Sequence, residues 1–253
     1  MDKEYIIELK NLTVSCAPGK YTVKNISALI KSKVVTSIIG PLGAGKTILL
    51  KSINRLNELN PTIKTTGEIL LDGENIFKFN PIIVRRKIGM VFQDPNPFLN
   101  MNIYDNVLAG YKLNRISLSK TEKNKIVEKN LEAVALWDEI KDDLYKNPNI
   151  LTKGQQQQLC IARTIAIDPE LILMDDPTNI LDAYHTNKIE ELIDQLKADH
   201  SIILITKNLS QAARISSYTM FMEAGKLIEY EATTKLLRNP KDKRTNKFIT
   251  NQV

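Results

Sequence analysis

The sequence predicts an α/β protein, a parallel sheet wrapped by helices, with an antiparallel β layer before it and a helical insertion inside it. Three observations carry this reading. Apolar runs such as "VVTSIIG", "ELILMDD" and "SIILIT" are each followed by a helical pattern or a turn, the alternation that feeds parallel strands through crossover helices. The opening residues instead alternate apolar and polar in two successive stretches, as strands of an antiparallel pair do. The segment after "IGMVFQ" is Lys-rich and carries no strand pattern until Pro169.

Taken in order, "EYIIELKNLTV" and "YTVKNISALI" read as two strands joined by a turn near Pro18–Gly19. "VVTSIIG" reads as a buried strand, and "TILLKSINRLNEL" as a helix with Leu49, Ile53 and Leu56 on one face. "GEILLDGENI" predicts a hairpin turning at Asp72–Gly73, a pair that accepts the positive φ of a tight turn. "IGMVFQ" is a short strand, broken by the Pro/Asn stretch "DPNPFLNMN". After Pro169 come the strand "ELILMDD", a helix carrying Ile189, Leu192, Ile193 and Leu196, and the strand "SIILIT", which runs out at Lys207.

Composition sets outer limits. The 253 residues suffice for one large domain or two small ones with a sizeable core. A formal charge of +6 points to anionic company, whether nucleotide, nucleic acid or an acidic membrane surface. Cys16 and Cys160 lie far apart and form no disulfide or metal pattern, which points to a reducing compartment. The start, "MDKEYIIELK", lacks the apolar run of a signal peptide, and no stretch has the roughly 18 apolar residues that span a bilayer.

The strongest chemical signal is "GPLGAGKT": Gly40, Pro41, Leu42, Gly43, Ala44, Gly45, Lys46 and Thr47. It fits the phosphate-cradling loop, in which glycines turn backbone N–H groups inward and the following helix, starting near Ile48, points its positive end at the same anion. Lys46 would reach the β and γ phosphates of a triphosphate, and the Thr47 hydroxyl would ligate Mg²⁺. The loop falls between a predicted strand and a predicted helix, as that mechanism requires. A second magnesium-side carboxylate is needed, and "ELILMDDPTN" supplies two at a strand end: Asp175 for the metal shell and Asp176 to polarise an attacking water. A third element, "LTKGQQQQLCIARTIA", opens with Thr152 and Gln155 in the spacing of a capping box; that leaves Gly154 without a local reason.

With "GPLGAGKT", "LTKGQ" and "LILMDDPTNILD" in this order, the chain resembles the ATP-binding cassette (ABC) family, whose signature LSGGQ the middle motif approximates. The phrases "GMVFQDPNPF", "IYDNV", "ALWDEIKDDL" and "NLSQAARISSYTMFMEAGKLIE" are similar to the ATP-binding subunits of its phosphate-importer branch, so the resemblance spans nearly the whole chain. It implies a P-loop NTPase (RecA-like) core with an N-terminal antiparallel β subdomain. Residues 1–93 and 166–253 would form the ATP-binding core, and 94–165 an inserted helical signature subdomain. It also implies that Thr152, Gly154 and Gln155 contact the γ phosphate of ATP held by an opposite subunit, that Gln93 touches Mg²⁺ or the attacking water, and that Asp182 reaches the dimer interface.

The implied activity is ATP hydrolysis with ATP and Mg²⁺. It would be coupled to phosphate uptake through two membrane permease subunits and an extracytoplasmic phosphate-binding protein. The ATP-binding subunits would pair as a homodimer or heterodimer on the cytoplasmic face of the membrane, without nucleic acid. Two other readings are a degenerate subunit that binds ATP but hydrolyses it poorly, and a soluble cassette protein acting on ribosomes or DNA. The second usually needs two cassettes or a long coiled-coil insertion, and neither is visible.

Four departures from the family pattern stand out. Asp176 replaces a glutamate, one methylene longer, where a misplacement of about 1 Å can cost about 100-fold in rate. Lys153 replaces a small signature residue. No aromatic stands near Ser15 or Cys16 to stack on adenine, although Tyr21 is a substitute. Lys207 replaces a histidine, bringing three donors and no acceptor. His185 and His200, in no recognisable motif, are expected at the surface.

Overall fold

A computed structural model describes residues 4–17 and 19–251; Pro18, half of the expected first turn, lies outside them. Strands β1 (Tyr5–Ala17) and β2 (Lys20–Lys31) pair antiparallel as the alternation predicts. Their register shifts around Asn11 (φ 50°) and Asn25 (φ 51°), a left-handed conformation that asparagine tolerates better than most residues. β3 (Val35–Ile39) is buried along its whole length and leads through the glycine-rich loop into helix α1 (Lys46–Ile53).

α1 stops one turn short of the expected Leu56. Arg55 adopts φ 61°, and its guanidinium grips Glu58 and the carbonyls of Ile76 and Phe79. Asn57 meanwhile donates its amide to the Ile48 carbonyl and the Ser52 hydroxyl, closing the helix end with side-chain bonds. Leu56 still packs on the core, but from a short 3₁₀ turn, Leu56–Leu59.

β4 (Lys64–Leu71) and β5 (Glu74–Asn75) form the expected hairpin, with Asp72 at φ 58° and Gly73 at φ 84°. α2 (Pro81–Lys87), capped by the Asn80 side chain, leads into β6 (Ile88–Val91). The strand-free stretch then folds as α3 (Ile103–Val107), α4 (Ala109–Leu113), α5 (Lys120–Ala133), α6 (Trp137–Ile140) and α7 (Lys153–Ile165). β7 (Leu171–Asp175), α8 (Ala183–Leu196) and β8 (Ser201–Ile205) follow as expected. Beyond them come α9 (Leu209–Ile215), β9 (Tyr218–Glu223), β10 (Lys226–Ala232), α10 (Thr233–Arg238) and α11 (Lys243–Thr250).

Two sheets result. The antiparallel one runs β2-β1-β4-β5; the other runs β10-β9-β3-β8-β7-β6 and is parallel except for β10 at its edge. Alternate residues of the parallel strands serve two different cores, as the two-residue period of a strand dictates. Leu171, Leu173 and Ile203 join the side chains of β1, β2 and α1, while Ile172, Met174 and Leu204 join those of α5, α7 and α8. The sheet is therefore covered on both faces, which leaves its edges and strand ends for chemistry. Among the described residues no helix is long and apolar enough to cross a membrane.

Candidate functional site

The carboxyl ends of β3, β6, β7 and β8 open on one side of the sheet, where ligands settle in open α/β folds. There the loop after β3, Gln93 after β6, Asp175 and Asp176 at the end of β7, and Lys207 after β8 line one cleft of about 200 Å³. The loop conformation depends on two glycines. Gly40 has φ 145°, and a Cβ on it would stand 2.0 Å from the Met222 carbonyl oxygen; Gly45 has φ 92°, and its Cβ would stand 2.4 Å from the Thr22 carbonyl oxygen. Backbone packing on both sides thus excludes any side chain. Gly45 is also the residue whose carbonyl accepts from Leu49 N at 2.9 Å, opening α1.

Lys46 folds back across the loop and donates to the carbonyls of Gly40 (2.6 Å) and Pro41 (2.8 Å). Burial pulls its pKa down, and the nearby Lys207 charge adds to that, while Asp175 and Asp176 oppose it. Beside it, burial pushes the Asp175 carboxyl up, against the lowering pull of a hydrogen bond from the Thr47 hydroxyl and of the Lys51 charge. A hydroxyl and a buried carboxylate joined at the start of a helix are oxygen donors of the kind a hard divalent cation takes.

Asp176 takes φ 49°, and its N–H donates to the Ile205 carbonyl at 2.9 Å, so the turn after β7 is tied to β8. Its side chain is buried, and Lys207 Nζ stands 2.9 Å from Oδ2. That contact lies off hydrogen-bond direction, leaving Oδ2 with a charge partner but no hydrogen bond. Lys207 therefore pairs with Asp176 while its own side chain stays more than half exposed to solvent.

Thr152, Gly154, Gln155 and Asp182 do not line this cleft within the chain. They lie at the N-termini of α7 and α8, with Thr152 and Asp182 exposed and Gly154 and Gln155 half-buried. The expected capping box is present: Gln155 N–H donates to Thr152 Oγ1 (3.3 Å) and Thr152 N–H to Gln155 Oε1 (2.9 Å). A Cβ on Gly154 would meet only Leu181 Cδ2, at 3.6 Å, and Thr152 Oγ1, at 4.0 Å, so no contact inside the chain calls for glycine. Asp182 caps α8. Tyr21 is exposed on β2 next to Thr22, and Thr22 lines the cleft.

The expectation for the histidines is corrected. Both are largely covered and partnered, because neighbours from other segments surround them. His200 Nδ1 stands 2.7 Å from the Pro169 carbonyl oxygen, and His185 bridges Asp182 and Glu139. Glu139 lies within the phrase "ALWDEIKDDL", yet the sequence gives no local sign that it meets His185. Thr22 is likewise missed, since it acts through its backbone carbonyl.

Residues 23–179 match the family model described as ABC transporter. The chain is 41% identical over 251 residues to the phosphate import ATP-binding protein PstB of Tropheryma whipplei (strain Twist), covering 97% of each chain. It is 46% identical over 230 residues to PstB 3 of Streptococcus pneumoniae serotype 4, covering 90% of this chain and 91% of that one. Among solved structures, a dimeric post-hydrolysis ATP-binding cassette bound to ADP and Pi matches with TM-score 0.80 and 29% identity, covering 90% of this chain and 98% of that one. A bacterial Atm1-family ABC exporter with ATP bound shares the fold, at TM-score 0.85 and 22% identity, over all of this chain and 42% of the exporter. With a family match over more than half its length and relatives this similar from end to end, the chain belongs to the ABC transporter family of ATPases.

Proposed function

We propose that the chain is the ATP-binding subunit of a phosphate importer, hydrolysing ATP at the cleft and driving separate membrane permease subunits. The observation that carries this reading is the extent of the match: nine-tenths or more of the chain aligns with phosphate import ATP-binding proteins at 41–46% identity. On this reading residues 1–93 and 166–253 make the ATP-binding core and 94–165 the helical subdomain. The subunit sits on the cytoplasmic face of the membrane, and an extracytoplasmic binding protein delivers phosphate.

The loop from Gly40 to Thr47 and the N-terminus of α1 bind the triphosphate through backbone N–H groups, and Lys46 exchanges its two carbonyl partners for phosphate oxygens. The buried Thr47–Asp175 pair fits a divalent cation, with Gln93 beside it; bound there, Mg²⁺ would neutralise charge developing on the phosphates. Asp176 polarises the attacking water, and Lys207 holds that carboxylate and adds positive charge near the γ phosphate. The uncrowded Gly154 supports a shared site, in which a head-to-tail partner's phosphate approaches the N-terminus of α7 closely. Asp182 then faces the same interface.

The test is reconstitution with the permeases and the phosphate-binding protein in vesicles, following ATPase rate and anion uptake. Inorganic phosphate is expected to raise both, and sulfate neither. Equal stimulation by sulfate, or none by phosphate, overturns the substrate assignment.

A further inference from the structure

Gln155 of the signature motif is tied to the head of α8 by a cluster of side chains drawn from separate stretches of the chain. Glu139 of α6 sits between the N-termini of the two long helices α7 and α8. Its Oε2 accepts from Gln155 Nε2 at 2.8 Å, and its Oε1 stands 3.3 Å from His185 Nε2. The other ring nitrogen, Nδ1, stands 2.9 Å from Asp182 Oδ2, while Asp182 Oδ1 accepts from the His185 N–H at 2.8 Å to cap α8. One chain of contacts thus runs Gln155–Glu139–His185–Asp182, joining the two places the proposed function assigns to the partner's ATP and the dimer interface.

The chemistry of the ring decides its charge. A neutral imidazole has one donor and one acceptor, whereas both partners here are carboxylates, which when ionised only accept. Both contacts are hydrogen bonds at once only when His185 is an imidazolium. Burial works against that charge, but the bonds to Asp182 and Glu139 outweigh it and raise the pKa above its ordinary value of 6.5. The charged and titratable groups facing the ring are Asp182 on its own helix and Glu139 from α6, with the Tyr184 ring edge-on at 5.1 Å.

We propose that His185 is a positioning residue: as an imidazolium it clamps Glu139, and through it Gln155 and the N-terminus of α7, to the head of α8. As pH rises through the raised pKa the ring keeps a single donor. One carboxylate is released, and the α7 N-terminus loses its fixed placement relative to Asp182. The functional consequence rests on the shared-site reading above; the clamp itself does not.

The experiment uses the full chain and its two histidines. In an NMR titration between about pH 5.5 and pH 8.5, His185 is expected to titrate above 6.5, and Glu139→Gln to move it down. Amide-exchange protection at Gln155 and Gln156, whose N–H groups are bonded to Thr152, is expected to fall severalfold across the same transition in the parent and to stay flat in His185→Gln. A His185 titrating at or below 6.5 and unmoved by Glu139→Gln overturns the clamp. Protection with the same pH course in parent and His185→Gln overturns the positioning role. In Mg-ATP, dimerisation by sedimentation should weaken severalfold as the parent passes the transition, and His185→Gln should lack that dependence. A parent that forms no ATP-dependent dimer at any pH removes the shared-site reading, while the titration and protection factors still decide the clamp.

Discussion

Asp175 shows how a single side chain can serve ligand binding at the expense of the empty fold. Its carboxyl is buried and its pKa is raised, so the ionised form is worse off in the folded state than in the unfolded one. Ionised Asp175 therefore subtracts stability: the penalty is full above the raised native pKa, shrinks as pH falls below it, and is gone below the unfolded pKa. Asp175→Asn, which never ionises, is expected to raise the nucleotide-free melting temperature by about 2 °C while abolishing the extra stabilisation that Mg-ATP gives the parent. Thermal scans with and without Mg-ATP measure both; a parent-like response to Mg-ATP would remove Asp175 from the metal site. The neighbouring pair poses a different question. Lys207 can attract a phosphate and hold Asp176, but it has no acceptor with which to orient a water. Lys207→His together with Asp176→Glu is expected to raise the ATPase rate at least tenfold with little change in ATP affinity, which is a barrier reduced by about 1.4 kcal/mol or more. A double variant no faster than its parent shows that neither residue limits turnover.

Helix α7 carries the clearest prediction at the level of an element. Gly154 lies in its first turn, where a Cβ would make only ordinary contacts with Leu181 and Thr152. Alanine is the better helix former, so Gly154→Ala is expected to stabilise the isolated chain by up to about 1 kcal/mol. The same methyl group would stand between the helix N-terminus and a partner's phosphate, so the heavier species formed in Mg-ATP, and absent in ADP, should be lost. Sedimentation and melting curves together check this; an ATP-dependent dimer left unchanged by Gly154→Ala would place the phosphate contact elsewhere. α7 was legible because its box, Thr152 with Gln155, lies within four residues, and the phosphate loop because its eight residues are contiguous. Local signals also placed Asp175 and Asp176, where an apolar run stops. What stayed hidden depends on contacts across the chain. Arg55 ends α1 by reaching Phe79, and His185 meets Glu139, 46 positions earlier. Thr22 meets Gly45 through a backbone carbonyl, which no side-chain pattern encodes. Beyond Ile205 the strong apolar alternation fades, and the pair β9–β10 carries no strand signal comparable to "SIILIT".

At the scale of the whole molecule, the parallel sheet divides its side chains between two cores, and the strand that carries the phosphate loop lies at its centre. β3 pairs on one side with β8 and on the other with β9, through partners such as Val35 with Ile202 and Thr36 with Tyr218. Gly40, just past β3, rests against the Met222 carbonyl of β9. A chain shortened to end at residue 200 would keep every residue of "GPLGAGKT" and still lack both neighbours of β3. Such a fragment is expected to show no measurable ATP binding by calorimetry, whereas retained affinity would mean that the loop is shaped by β3 and α1 alone. The same arrangement bears on how the protein is made. The residues that shape the loop emerge from the ribosome early, yet the strands that hold it come last, so the loop waits through most of synthesis for contacts distant in sequence. During that wait a nucleotide has no formed site to bind and cannot assist folding, and the bare edges of β3 depend on other protection against mispairing until the final fifth of the chain arrives.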